Sequence, residues 1–496
     1  MSITLGIDFG AERLAVAACD GERLLLEGVL PASGLYLDRS QAIVGPARTA
    51  AHHPARVATL VKPMLGQCNE MVLDDRTWRP EALAALMLRG AREWAEAALR
   101  QSGVAVKGEP GQMIDAVGIT VSASFDAVQR RALQVAANAA ALPRPMLIGD
   151  AAAAIAAWLE SRSDAGAETL LVCDLGSACC DLAFVSVEGR SAQVIAQQGE
   201  TWGASTWDSL VLERIAEEIE RELGATPLGP LTEKLWRRAN LALASRLRRR
   251  LDDGEMADWE TRFEDQLFRG WLFAHQLEEM VDPMIDWMEG QVDHVLAGRR
   301  PQSLLFTGGG SRMPHVRGRI ARVAGARDMS PSDDCHNARG AALMASRRIA
   351  NAATVVDAAP CSLGIFTVDR KSKKAVNKIV LEAGTPLPCQ RNLKLGQIGD
   401  TKVNVKILQG ELLAAEDNRL VGECQLDPAI CGSAIVQLKL GYDLDGALDV
   451  RLQRGEETPV PLELSHEETL ADESVQRLRR EVQRIEVSAL IPTLEA

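Results

Sequence analysis

Ile7-Asp8-Phe9-Gly10 runs into the apolar stretch Leu14–Cys19, and Cys173-Asp174-Leu175-Gly176 runs in the same way into Asp181–Val187. Each is a strand that ends in Asp-x-Gly and turns back into a second strand. The repetition predicts two similar halves, each opening with a strand, a tight turn and a strand. Taken singly, either copy is accounted for by a polar hairpin turn. Taken together they form a device for phosphate and metal, because glycine lets backbone N–H groups approach phosphate oxygens while the carboxylate holds hydrated magnesium. Asp8-Phe9-Gly10 is not the metal motif of a protein kinase, since no kinase catalytic loop or strand-lysine context accompanies it.

A third glycine site, Thr307-Gly308-Gly309-Gly310-Ser311-Arg312-Met313-Pro314, stands between an apolar strand and a helix start marked by Ser311 and Pro314. A helix N-terminus behind a glycine loop favours an anionic ligand. Around these sites, residues 1–350 alternate strands with helices, as in Ala116–Val121 before Asp126–Ala141 and Ser303–Thr307 before Met313–Ala324. That alternation predicts an α/β architecture. From Thr354 the period shortens to two, in runs such as Val403–Ile407 and Ile435–Leu440 separated by Gly, Pro, Asn and Asp. A mostly β second domain follows. The junction Asn351–Pro360 is apolar at Val355 and Val356, unlike a Gly/Ser spacer, and suits a linker that docks. In Glu467–Val487, Leu470, Val475, Leu478, Val482 and Ile485 fall at helical spacing, which predicts one amphipathic helix at the end of the fold.

The 496 residues are too many for one ordinary core. A formal charge of -13 argues against a nucleic-acid partner or an anionic membrane surface. No apolar run approaches the ~20 residues of a spanning helix. The N-terminus enters a strand pattern at once, without a basic region or cleavage site, and points to a cytoplasmic protein. The ten cysteines are scattered, with neither CxxC pairs nor histidines at ligand spacing, so neither a zinc site nor a disulfide framework is expected.

The three glycine loops fall in the order and spacing of the phosphate-one, phosphate-two and adenosine motifs of the heat shock protein 70 family, the DnaK-like chaperones. Ala116–Val121 with Phe125, Gln129 and Arg130 resembles the family's Val-Pro-Ala-Tyr-Phe segment, and Leu147–Ala154 its Asn-Glu-Pro-Thr-Ala-Ala-Ala segment. Pro360–Ile365, Gly384–Pro388 and Val403–Glu411 resemble its peptide-binding domain. The resemblance implies an α/β actin-like (ribonuclease H-like), two-lobed nucleotide-binding domain over 1–350 and a linker over 351–360. An all-β sandwich peptide-binding domain over 361–465 and a short C-terminal helix or tail over 466–496 would follow.

The resemblance also implies roles. Asp8 and Asp174 would hold magnesium through water, and Asp181 would join the same phosphate hairpin. Lys62 would position the γ-phosphate and the attacking water, with Asp150 in place of a family glutamate and Asp174 completing the catalytic set. Gly10 and Gly176 would approach the phosphates of ATP or ADP. Gly308, Gly309, Arg312 and Asp334 would line the adenosine, and Arg248 or Arg249 would stack on the purine. Val368, Leu393, Leu395 and Val403 would bind extended apolar segments of unfolded polypeptide clients, although at strand alternation they also read as sandwich core. J-domain and nucleotide-exchange co-chaperones would be partners.

Departures concentrate at the catalytic centre. Ala11 and Glu12 stand where the family has two hydroxyl residues, and Ser177-Ala178-Cys179-Cys180 replaces a Gly-Gly-Thr-Phe run. Glu12 would repel a triphosphate unless it turns away or is offset by Arg13 or magnesium. Ser122 and Ser124 replace the family's proline and tyrosine, which puts the inter-domain switch in doubt. The tail after Leu464 is too short for the family's helical lid. These features predict a chaperone with weak or slow ATP hydrolysis, with a pseudo-ATPase binding or scaffold protein as the alternative. A sugar kinase would leave the Leu408-Gln409-Gly410-Glu411 domain unexplained.

Overall fold

The computed structural model describes residues 2–489 apart from 22, 31–34, 39–40, 45–53, 68, 74, 104–110, 163–165, 225–229, 264, 331–332, 351–353, 398–401, 429–434, 463 and 466–471. Two mixed sheets repeat one plan. In the first, Ile3–Phe9, Leu14–Asp20 and Arg23–Leu30 form an antiparallel meander, and Ala116–Val121 and Pro145–Gly149 add in parallel beside Ile3–Phe9. In the second, Glu168–Leu175, Cys180–Glu188 and Ser191–Glu200 form the meander, and Ser303–Thr307 adds in parallel beside Glu168–Leu175. The two Asp-x-Gly turns therefore occupy equivalent places. Their registers are the same and only the facing residue differs: Asp8 faces Ala15, whereas Asp174 faces Asp181.

Two helices join the sheets. Asp150–Glu160 and His336–Ile349 cross where a Cβ on Gly340 would fall 1.8 Å from the Ala153 carbonyl oxygen. On its other side His336–Ile349 lies on the first sheet, where a Cβ on Gly6 would meet the Ala338 carbonyl at 1.9 Å and one on Gly118 the Ala341 carbonyl at 2.5 Å. Glycine is required at these points by backbone contact rather than by turn geometry. Asp126 is the N-cap of helix Ala127–Ala139, accepting from the Gln129 N–H at 2.8 Å in a capping box, and is not its first residue. Met313 likewise precedes helix Pro314–Ala324.

Two four-stranded antiparallel sheets make up the β unit. Leu363–Val368, Ala375–Leu381, Val403–Gln409 and Arg419–Leu426 form one, and Cys389–Gln397, Ile435–Tyr442, Leu448–Arg454 and Val460–Pro461 the other. Leu363, Ile407, Leu426, Val436, Leu438 and Tyr442 are buried in one core with residues of both sheets. The unit meets the α/β part at several points. Val355–Val356 pairs in parallel with Ala192–Gln193, extending the second sheet. The Asp357 carboxylate accepts from the Gly149 N–H at 3.2 Å, and Gln409 accepts from the Ala127 N–H at 2.9 Å. Arg348 reaches the Asp445 carboxylate at 2.8 Å.

The C-terminal segment departs from expectation. Helix is present over Asp472–Arg484, but Glu486–Ala489 is a strand, so Val487 is not helical, and Leu470 lies outside the described residues. The strand pairs in parallel with Gln41–Val44. Leu478, Val482, Ile485 and Val487 are buried in the core of the first sheet and its helices Pro80–Gln101 and Ala127–Ala139. Arg89 fastens the junction by donating to the carbonyls of Val482 at 3.0 Å and Ile485 at 2.5 Å. Helical periodicity continued through Ile485 and Val487 because both are buried. A period-two edge of four residues is too short to stand out against it.

Leu478→Ala is expected to cost about 2–5 kcal/mol in urea unfolding, the usual range for emptying a buried leucine site. It should raise hydrogen exchange in Pro80–Gln101 and Gln41–Val44. Faster exchange confined to the β unit would contradict this placement.

Candidate functional site

The ends of equivalent strands converge on one cleft of about 400 Å³ between the two sheets. Asp8 closes its strand and Asp174 its counterpart, while Asp181 stands directly across from Asp174. Asp150 is the first residue of its helix, immediately after strand Pro145–Gly149, and Lys62 opens the short 3-10 turn Lys62–Met64. Four carboxylates and one ammonium group thus line the same cleft. Lys62 Nζ lies 3.8 Å from Asp150 Oδ2 and 5.7 Å from the centre of the Phe125 ring.

Neighbouring hydroxyls and an amide orient the carboxylates. Thr120 donates to Asp8 at 2.9 Å, and Thr307 and Asn337 donate to Asp174 Oδ2 at 2.9 and 2.5 Å. Ser122 donates to Asp181 at 2.8 Å. These donors escaped the sequence reading, which had only Ser122 and Ser124 as departures and no signal for Asn337 beyond its closeness to Asp334.

Burial first, then the Asp150 carboxylate, pushes Asp8 up to about 6. Burial, followed by Asp150 and Asp8, pushes Asp174 up to about 7. The same causes, burial and then Asp150 and Asp174, hold Asp181 well above the ordinary carboxylate range. Lys62 is raised, because Asp150, Cys179, Asp8 and Asp181 outweigh the desolvation that would lower it. Burial pushes Cys179 up to about 11, so the residue in the family threonine's place is a neutral thiol.

Asp8, Gly10, Lys62, Asp150, Asp174, Gly176 and Asp181 line the cleft, and so do Arg248, Gly308, Gly309, Arg312 and Asp334. Arg248 is turned away from a stacking role: its Nε donates to Asp208 at 2.8 Å and both side chains are buried. Arg249 is held by the Ser245 carbonyl and hydroxyl at 3.1 and 3.0 Å. Glu12 does not face the cleft unaccompanied. Burial and then Asp208 raise its pKa, while Arg248, Arg249 and Arg13 oppose them.

The peptide-side residues lie in the β unit, away from the cleft. Val368 and Val403 are 51% and 37% exposed, whereas Leu393 and Leu395, on a strand of the opposite sheet, pack partly buried against the sandwich core.

A hydrated divalent cation fits this donor set. Asp150 Oδ1 and Ser177 Oγ are buried with no hydrogen-bond partner, and four aspartates line the cleft against one lysine. Among the described residues no three His, Cys, Asp or Glu are placed to ligate a metal directly, so the cation would be held through water.

Paired mixed sheets, crossing helices and a carboxylate-lined cleft, followed by an antiparallel sandwich, place the chain among proteins that join an actin-type ATPase domain to a β sandwich. The family model for Hsp70 protein matches residues 50–489, and the chain belongs to the Hsp70 family. It is similar to the chaperone protein DnaK of Thermus thermophilus, with 26% identity over 98% of this chain and 84% of the relative. The DnaK of a second strain of the same organism matches to the same extent. The chain is thus a chaperone-family protein at low identity to these relatives. Among the described residues no helix is long and apolar enough to cross a membrane.

A carboxylate raised by folding takes up protons as the chain folds. Its stabilising share is complete below the ordinary value of 3.8 and is lost as pH rises through about 6 for Asp8 and about 7 for Asp174. Asp174→Asn is therefore expected to raise Tm at pH 8, by roughly 1–2 °C if it relieves ~1 kcal/mol of repulsion. The difference should vanish below about pH 4, where the carboxyl is neutral in both states. An equal gain at both pH values in thermal unfolding would refute the like-charge account.

Proposed function

We propose that the chain is an Hsp70-type chaperone that binds Mg-ATP or Mg-ADP between the two lobes of residues 1–350 and hydrolyses ATP slowly. On this reading residues 351–360 link it to a peptide-binding sandwich over 361–465, with the C-terminal segment 466–496 beyond. The convergence of Asp8, Asp174 and Lys62 on one cleft carries the proposal. Asp8 and Asp174 would hold magnesium through water, and the metal would neutralise phosphate charge as the β–γ bond breaks.

Lys62, kept charged by its carboxylate neighbours, orients the attacking water and the γ-phosphate. Gly10 and Gly176 admit the phosphates, and Gly308, Gly309, Arg312 and Asp334 border the nucleoside. With Arg248 paired to Asp208, a purine-stacking role falls to Arg249. Slow turnover follows from Ala11, Glu12 and the neutral Cys179 thiol, which remove hydroxyl donors from positions that place phosphate.

The client site takes extended apolar segments of unfolded polypeptide over Val368 and Val403, with Leu393 and Leu395 beneath. The C-terminal helix packs on helices of the first sheet, which supports an open groove with fast exchange. J-domain and nucleotide-exchange proteins are the co-chaperones this reading calls for, and the cytoplasm its compartment.

Millimolar Mg-ATP or Mg-ADP should raise the apparent stability, by about 2.7 kcal/mol at a hundred times Kd. Lys62→Ala should lower single-turnover hydrolysis by roughly 10²-fold or more. Stabilisation without any turnover would leave a binding protein, and no stabilisation by either nucleotide would remove the nucleotide reading. Val368→Asp with Val403→Asp should abolish binding of an apolar heptapeptide at unchanged Tm, since both side chains are exposed. Slow peptide dissociation from the unaltered protein would contradict the open groove.

A further inference from the structure

We propose that Arg13 is a phosphate-binding residue of this chain: a guanidinium held across the cleft mouth on Asp334, which turns onto the phosphates of an entering nucleotide. The inference rests on the nucleotide reading above and adds a residue to it.

Arg13 is carried by the turn after the first Asp-x-Gly, yet its partner belongs to the other side of the cleft. Its Nη1 donates to Asp334 Oδ2 at 2.9 Å. Asp334 lies just ahead of helix His336–Ile349 and is also bound by Arg312, from the turn Gly310–Arg312. A Cβ on Gly309 would stand 2.8 Å from Arg13 Nη2, so the guanidinium rests directly against the third glycine site. Gly10, Gly308 and Gly309 line the same cavity. Arg13 therefore lies between the first Asp-x-Gly turn, which the nucleotide reading gives to the phosphates, and the third glycine site beside it.

Most other cations of the cleft are engaged elsewhere. Lys62 is surrounded by buried carboxylates, Arg248 is sealed on Asp208, Arg317 is bound to Asp328, and Arg249 is held by the Ser245 carbonyl and hydroxyl. Arg13 shares its carboxylate with Arg312, so its departure leaves Asp334 neutralised. The Arg13 and Asp334 side chains are about one-third exposed, and an ion pair of that kind is weak. A guanidinium fork on phosphate makes two charge-assisted hydrogen bonds in a fixed plane and is stronger. Exchange of Asp334 for phosphate is thus favoured. It would restore donors to a loop in which Ala11 offers no side-chain donor and Glu12 adds a negative charge.

Calorimetric titration of the full chain with Mg-ATP, Mg-ADP and adenosine tests this, using the unaltered protein, Arg13→Ala and Arg13→Lys. Unfolding scans without ligand should show all three folded alike. Arg13→Ala should weaken ATP and ADP about ten- to hundredfold and leave adenosine unchanged, with Arg13→Lys between. Equal or tighter ATP binding by Arg13→Ala, or an equal loss for adenosine, overturns the inference and leaves the nucleotide reading standing. Failure of the unaltered protein to bind any of the three overturns both.

Discussion

The contact on which the cleft depends is the backbone approach of helices Asp150–Glu160 and His336–Ile349, closed by Gly340 against the Ala153 carbonyl. Any side chain at residue 340 would force the helices apart, and with them the two sheets. The first helix begins with Asp150, and the second carries Asn337 in its first turn, so the crossing fixes both groups at the cleft floor. It also aims two helix N-termini there, whose partial positive charge favours anions. Seating His336–Ile349 on Gly6 and Gly118 ties the same geometry to the strand that ends near Asp8.

That geometry concentrates negative charge. Asp8 and Asp174 are raised first by burial and then by repulsion from the neighbouring carboxylates, Asp150 foremost. Protons or a divalent cation resolve the repulsion equally well from the carboxylates' side. A site built this way trades stability of the empty fold for affinity toward a cation, and the trade sharpens as pH climbs past 7. Glu12 belongs to a separate balance, in which burial and then Asp208 raise its pKa while Arg248, Arg249 and Arg13 oppose them.

Much of this arrangement was legible in the chain. Ala116–Val121 and Ser303–Thr307 coincide with observed strands because short apolar runs bounded by turn residues admit few other readings. The glycine loops stand out because each lies at the end of such a run, whereas Lys62 is marked only by the family resemblance. The rest depended on side chains meeting across long separations. Nothing local to Arg248 announces Asp208, and nothing local to Arg13 announces Asp334. The tail misled for a similar reason. Its apolar spacing specified burial at Ile485 and Val487, and only pairing with Gln41–Val44 turned that burial into a strand.

Ser122 is bonded both to the cleft and to a residue that reaches the β unit. Its hydroxyl donates to Asp181, while its carbonyl accepts from Arg130 Nη2 at 3.2 Å. Arg130 Nη1 in turn donates to the Asp445 carbonyl of the β unit at 3.1 Å, and Arg348 holds the Asp445 carboxylate. A chain of contacts carries coupling only where some member has two arrangements. The Ser122 hydroxyl meets that requirement, since Ser124 Oγ lies 2.6 Å away as a second partner. Charge on Asp181 draws the proton toward the carboxylate, and its neutralisation frees the hydroxyl for Ser124. Ser122 thus presents its hydroxyl to the cleft and its carbonyl to the guanidinium that grips the β unit.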